Sequence, residues 1–136
     1  MNIRVAGVLA AVMLLFACPA KSQTHGRGYE VFTPISKYFG QGDVDKLSAW
    51  FSDNLEITIF STTNDYSRSQ ACQVLKSFFK SYTPRSFEIA HQAGRTNMKY
   101  ALGTLTAGGE HFMVTIFVGY KDSSYKIPHL KIERME

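Results

Sequence analysis

The stretch "FGQGDVDKLSAWFSDNLEITIF", Phe39 to Phe60, holds a helix stop, a helix start and a change of hydrophobic period. Gly40 and Gly42 can take the positive φ that ends a helix. Asp43 follows as an N-cap for a second, short helix with Val44, Leu47 and Phe51 on one face. Asp53-Asn54 supplies turn chemistry to end it. From Leu55 to Ser61 the period becomes two. Leu55, Ile57 and Ile59 face one way and Glu56, Thr58 and Phe60 the other, the pattern of a half-buried strand.

Upstream, Val31, Phe32, Ile35, Tyr38 and Phe39 recur at helical spacing between Tyr29 and Gln41. Pro34 is compatible only with a first turn, so this helix begins near Glu30 to Thr33. Downstream, "TTNDY" reads as a loop. Ser67 to Gln70 is a capping box opening a helix whose stripe is Ala71, Val74, Leu75, Phe78, Phe79 and Tyr82. Pro84 ends it.

Beyond Pro84 the period is two throughout. Phe87, Ile89 and His91 share a face, as do Tyr100, Leu102, Thr104 and Thr106. Gly108-Gly109 makes a hairpin turn into the longest strand, Glu110 to Lys121, with Phe112, Val114, Ile116, Val118 and Tyr120 on one side. After Asp122-Ser123-Ser124 a last strand runs to Arg134, and Pro128 inside it predicts an edge or a bulge. The order is helix, helix, strand, helix and four strands joined by short turns. That order predicts an α+β fold, with N-terminal helices packed against an antiparallel sheet.

Residues 1–22 read differently. Met1 to Arg4 is a charged lead, Val5 to Phe16 an uncharged apolar run, and Ala17, Ala20 and Ser22 are the small residues a signal peptidase needs. The run is too short to cross a bilayer. Export to the periplasm or the medium is expected, by cleavage before Gln23. The alternative is lipidation of Cys18 within "LFAC", the one route by which this chain would be membrane-anchored. Residues 23–28 read as a disordered lead-in, and 29–136 as a single domain.

The whole chain carries a net charge of +4; without residues 1–22, which hold Arg4 and Lys21, it is +2. The cations are scattered singly, which excludes a nucleic-acid footprint. With Cys18 outside the domain, Cys72 is its one thiol, and no intrachain disulfide is expected.

The helix order and the Gly42-Asp43-x-x-x-Leu47-x-x-x-Phe51 signature resemble the nuclear transport factor 2-like superfamily of cystatin-like α+β cones. "SRSQACQVLKSFFKSY", "FEIAHQAG" and "YALGTLTAGGEHFMVTIFV" resemble a family of small secreted bacterial domains of unknown function within it. The resemblance implies a strongly curved sheet wrapped around a helix, sometimes with a pocket inside. It implies no activity, because that superfamily hosts enzymes and plain dimerisation modules alike. On such a cone Phe32, Ile35, Phe39, Phe78, Phe87, His91, Tyr100 and Val114 would line the interior. Phe60, Met113 and Phe117 would face outward, where related domains dimerise.

Catalysis on this fold needs a titratable group held in an apolar pocket. All five aspartates fall in turns, loops or helix starts, and Glu56 and Glu88 sit on strands opposite the apolar sets. His91 and Tyr100 are the one pair that would meet inside. No spacing suits a metal and no nucleotide fingerprint occurs, so no cofactor is expected. The residues point to an exported, non-catalytic module taking a small apolar ligand in the cone or a protein, itself included, on the open sheet face. The alternative is an acid–base isomerase, dehydratase or hydrolase built on His91 and Tyr100. Mass spectrometry of the exported protein checks the first step: a chain beginning at Gln23 is expected, and a lipid-modified Cys18 would replace the soluble reading with an anchored one.

Overall fold

The computed structural model describes residues 28–135, and the domain is traced here from Val31. The predicted signal peptide, Cys18, His25 and most of the lead-in lie outside the described residues. Two helices open the domain: α1, Phe32–Gln41, and the single turn α2, Val44–Leu47, continued by a 3-10 turn at Ser48–Trp50. A hairpin follows, β1, Phe51–Ile59, and β2, Thr62–Ser67. Helix α3, Arg68–Ser81, leads into β3, Pro84–Gly94, β4, Met98–Ala107, β5, Glu110–Lys121, and β6, Ser124–Arg134. The six strands form one sheet in the order β2-β1-β6-β5-β4-β3. All pairs are antiparallel except β1 with β6, which is parallel.

Local chemistry accounts for the helix boundaries. Gly42 adopts φ 69° and returns its backbone N–H to the Phe39 carbonyl, closing α1. The Asp43 carboxylate then accepts the Lys46 N–H at 3.2 Å. At α3 the Ser67 hydroxyl accepts the Gln70 N–H at 3.2 Å, while the Gln70 side chain accepts the Ser67 N–H at 3.0 Å. The ion pair between Lys76 and Asp45, at 3.0 Å, ties α3 back to α2. The Asp45 hydrogen bond and charge raise the Lys76 pKa above its ordinary value.

Two expectations change. The second helix yields earlier, and Phe51 opens the strand instead of closing the helix. The Ser48 hydroxyl donates to the Asp45 carbonyl at 2.7 Å, an alternative to helix continuation, and Phe51, an aromatic residue suited to a strand, is already extended. "TTNDY" is not a loop but the body of β2, an edge strand paired along its length with β1. Exposed on both sides, it carries no alternation. Pro128 sits inside the sheet, where β6 is central, and it sits at a bulge: Phe117 pairs with His129 but Gly119 with Lys126.

The core lies between the helices and one sheet face. Its most buried members include Phe32, Ile35 and Phe39 of α1, Leu75 of α3, Leu105 of β4, Phe112, Val114 and Ile116 of β5 and Ile132 of β6, all at 1% exposure or less. Further bulges lie between Ile89 and His91 and, across β1 and β6, between Phe51 and Glu56. Each adds local bend and twist, which curls the sheet about the helices.

Two glycines permit close approaches between elements of the core. A Cβ at Gly42 would stand 2.7 Å from the Pro84 ring, at a positive φ. One at Gly103 would stand 2.5 Å from the Phe87 ring and 2.8 Å from the Glu88 carbonyl. Gly42→Ala and Gly103→Ala should each destabilise the domain by roughly 1–3 kcal/mol, through strain and overpacking. Thermal melts should show this as a fall of several degrees, and an unchanged Tm in both would contradict these contacts.

Candidate functional site

The bulges decide which residues face out. In β4 the buried set is Lys99, Ala101, Leu105 and Ala107, with Gly103 between them. Tyr100, Leu102, Thr104 and Thr106 therefore occupy the outer face, opposite to the expectation for Tyr100. In β3 Phe87 points inward, but the bulge at Ala90 shifts the phase, and His91 is exposed on the outer face. His91 and Tyr100 are neighbours, with ring centroids 6.1 Å apart, but outside the cone. The acid–base pair expected in an apolar pocket stands on an open surface instead.

The other residues expected around a cavity, Phe32, Ile35, Phe39, Phe78, Phe87 and Val114, are all buried. Phe39 meets Phe79 edge to face at 5.4 Å and Phe87 at 5.1 Å. Ile35, Phe39 and Val114 have no exposure at all, so the centre of the cone is filled by side chains. Phe78 borders a shallow depression of about 440 Å³ on the surface, with Ile59, Val74 and Tyr82.

Phe60 also departs from expectation. It occupies the β1–β2 turn at φ 61°, and its N–H donates to the Ile132 carbonyl at 2.8 Å. Its ring joins Phe78, Tyr82 and Phe112 instead of the outer sheet face, at centroid distances of 6.1–6.5 Å. The Arg134 guanidinium lies 4.5 Å over it, held by the Tyr82 hydroxyl at 2.8 Å and by Glu110. This cluster closes one rim of the cone through ring packing and cation–π attraction. Phe60, although 37% exposed, thereby lies at the rim and off the predicted sheet interface, whereas Phe117 and Met113 stand on the outer face, Phe117 half-buried and Met113 exposed.

What the outer face does bring together is a row crossing five strands. His91 of β3 leads to Tyr100 of β4, Tyr100 to Phe117 of β5 at 6.0 Å, and Phe117 to His129 of β6, stacked at 5.0 Å. The row ends on β1, where Glu56 lies 3.5 Å from the His129 Nδ1. The His129 Nε2 is buried beneath this stack without a hydrogen-bond partner among the described residues. Leu102 flanks the row, Thr58 and Thr115 lie nearly covered beside it, and Met113 stands on the same face beyond Thr115. Sequence reading missed the row as a unit because its members come from five strands whose phases two bulges reset.

No group of three or more metal-ligating side chains converges among the described residues, and no described helix is long and apolar enough to cross a membrane. Cys72 is free and half-buried on α3.

The profile of DUF4783, a domain of unknown function, matches residues 32–133. None of the curated proteins matches the chain significantly. Among solved structures, the chain is similar to a DUF4783 family protein from Bacteroides uniformis. The TM-score is 0.72 at 20% identity, covering 75% of this chain and 94% of that one. It is also similar to a domain of unknown function with a cystatin-like fold from Nostoc punctiforme, with TM-score 0.60, 15% identity and coverage of 75% and 71%. An NTF2-like protein from Cytophaga hutchinsonii aligns with TM-score 0.61 at 13% identity, covering 80% of this chain and 99% of that one. At these identities the likeness is one of fold, the α+β cone expected from the helix order.

Proposed function

This chain belongs to the DUF4783 family and has the NTF2-like fold, and we propose that it is an exported, non-catalytic module that pairs with a second copy of itself through the outer face of its sheet. The observation that carries this reading is the His91–Tyr100–Phe117–His129–Glu56 row. Its centre is Phe117, on the middle strand of the five. A two-fold axis near Phe117 would set ring against ring at the centre and Tyr100 against His129 on either side. At each end the His91 imidazole would meet the Glu56 carboxylate of the other copy. A self-complementary strip of this kind is what an isologous dimer requires, an aromatic centre with oppositely disposed polar ends. Met113 and Leu102 widen its apolar part.

The other occupant expected for this cone, a small apolar ligand, finds less support. A ligand pocket needs a few hundred Å³ of enclosed space, and the inward-facing residues that would enclose it are buried. Export rests on the sequence pattern of residues 1–22, with an uncharged run and small residues ahead of Gln23.

Sedimentation across a concentration series tests the pairing. A monomer–dimer equilibrium with a Kd of about 100 µM or tighter is expected for a face of this size. His91→Glu is exposed and compatible with the fold. It should weaken the dimer by roughly 3- to 10-fold by setting carboxylate against carboxylate. Phe117→Glu should abolish dimerisation with the far-UV spectrum retained. A wild-type chain that stays monomeric up to about 1 mM would overturn the proposal.

A further inference from the structure

A second feature lies away from the row, where the β5–β6 turn meets α2. Three half-buried aromatic residues, Tyr38, Trp50 and Tyr125, line a groove of about 450 Å³ together with Lys46, Lys126, Ala49 and Ser124. The groove is open to solvent along one side, so it would hold one face and one edge of a small ligand and would not enclose it. Its charged lining, among the described residues, consists of the two lysines.

The charge is unbalanced. The Lys46 ammonium lies 5.8 Å from the Tyr38 ring centroid, and it has no carboxylate within ion-pair distance among the described residues. The acids of its own helix are engaged elsewhere: Asp43 caps the Lys46 N–H and Asp45 pairs with Lys76. Lys126 donates to the Ala49 carbonyl at 3.0 Å and likewise has no acidic partner. Behind Tyr125 stands a third ammonium, Lys99. It is only 4% exposed, 5.6 Å from the Tyr125 ring, and donates to the Arg95 and Thr96 carbonyls at 2.9 Å. Three cations thus surround aromatic walls with no described carboxylate paired to any of them. Such a site favours an anion, and the rings favour a flat apolar body.

The neutral polar lining is sparse, which sets the ligand class. Besides the tyrosine hydroxyls only Ser124 offers an alcohol, and its Oγ already donates to the Lys121 carbonyl at 3.4 Å. A polyhydroxylated ring such as a sugar acid would lose hydration without replacing its hydrogen bonds. An aromatic carboxylate asks for two things only, ring contact and one or two ammonium donors. We propose that the Tyr38–Trp50–Tyr125 groove is a binding site for small aromatic carboxylates, with Lys46 and Lys126 holding the carboxylate and the rings holding the aromatic body. This site is independent of the sheet-face pairing.

Trp50 is the chain's only tryptophan, so its emission, excited at the red edge, reports the groove directly. The probe is benzoate, with benzyl alcohol as the neutral counterpart and glucuronate as the hydroxylated one. Benzoate should change Trp50 emission saturably, with a Kd near 1 mM that weakens with salt, as expected for a few exposed contacts. Lys46→Gln, at an exposed position, should weaken binding by roughly 2- to 5-fold with an unchanged melting temperature, and Lys126→Gln by a similar factor. No saturable response to benzoate up to about 50 mM would overturn the proposal. So would equal binding of benzyl alcohol, which would leave the lysines idle, or tighter binding of glucuronate, which would reassign the ligand class.

Discussion

The architecture depends on the contact of Phe39 with Phe87 and on the glycines that let it close. Phe39, at the end of α1, is fully buried against Phe79 of α3 and Phe87 of β3. Gly40 brings the α1 backbone down on β3, where a Cβ would already stand 3.2 Å from the Phe87 amide nitrogen. On its other side the Phe87 ring lies over Gly103 of β4. Helix α1 is therefore joined to the distant β3–β4 hairpin by one ring held between two missing side chains. Burial of large rings is the main favourable term in a domain of this size. The α1–β3 docking brings the helical layer onto the far edge of the sheet, while α3 contacts β1 on the near side.

The bulges are the second determinant, because each decides which face a side chain reaches. A displacement of one residue reverses the orientation of everything beyond it. The irregularity beside Ala90 turns His91 outward, and the one at Pro128 allows His129 to lie beside Phe117. The outer aromatic row is thus a product of sheet distortion. The filled interior and the dressed exterior are two outcomes of the same curvature. Tight curling brings the inner side chains into full contact, whereas on the convex side the rings spread into a strip.

Much of the fold was legible in residues whose role is local or whose period is strong. The capping box at Ser67, the stop at Gly42, the stripe of α3 and the inward set Phe112, Val114, Ile116 and Val118 all read correctly from spacing alone. β2 was not legible, since a strand exposed on both faces has no hydrophobic alternation to display. The inward face of β4 was misread for a related reason. Of its buried positions only Leu105 is large and apolar, the others being Lys99, Ala101, Gly103 and Ala107, while the outer face carries Tyr100 and Leu102. The rule that the more apolar face is the inner one fails when a neighbouring ring, here Phe87, needs the space above a glycine.

Phe60 shows the same limit at a turn. Positive φ is rare for a bulky side chain, and nothing in "TIFSTT" signals it. The conformation persists because Phe78, Tyr82, Phe112 and Arg134 receive the ring. The sequence by itself determined the end of α1, the starts of α2 and α3, the strand content beyond Pro84 and the α+β class, because these follow from capping chemistry and periodicity over neighbouring residues. Only the tertiary structure decided that the cone is filled, that His91 and Tyr100 stand outside it, and that Tyr38, Trp50 and Tyr125 share a groove. Those outcomes depend on the register between strands and on the meeting of residues far apart in the chain, which no local pattern encodes.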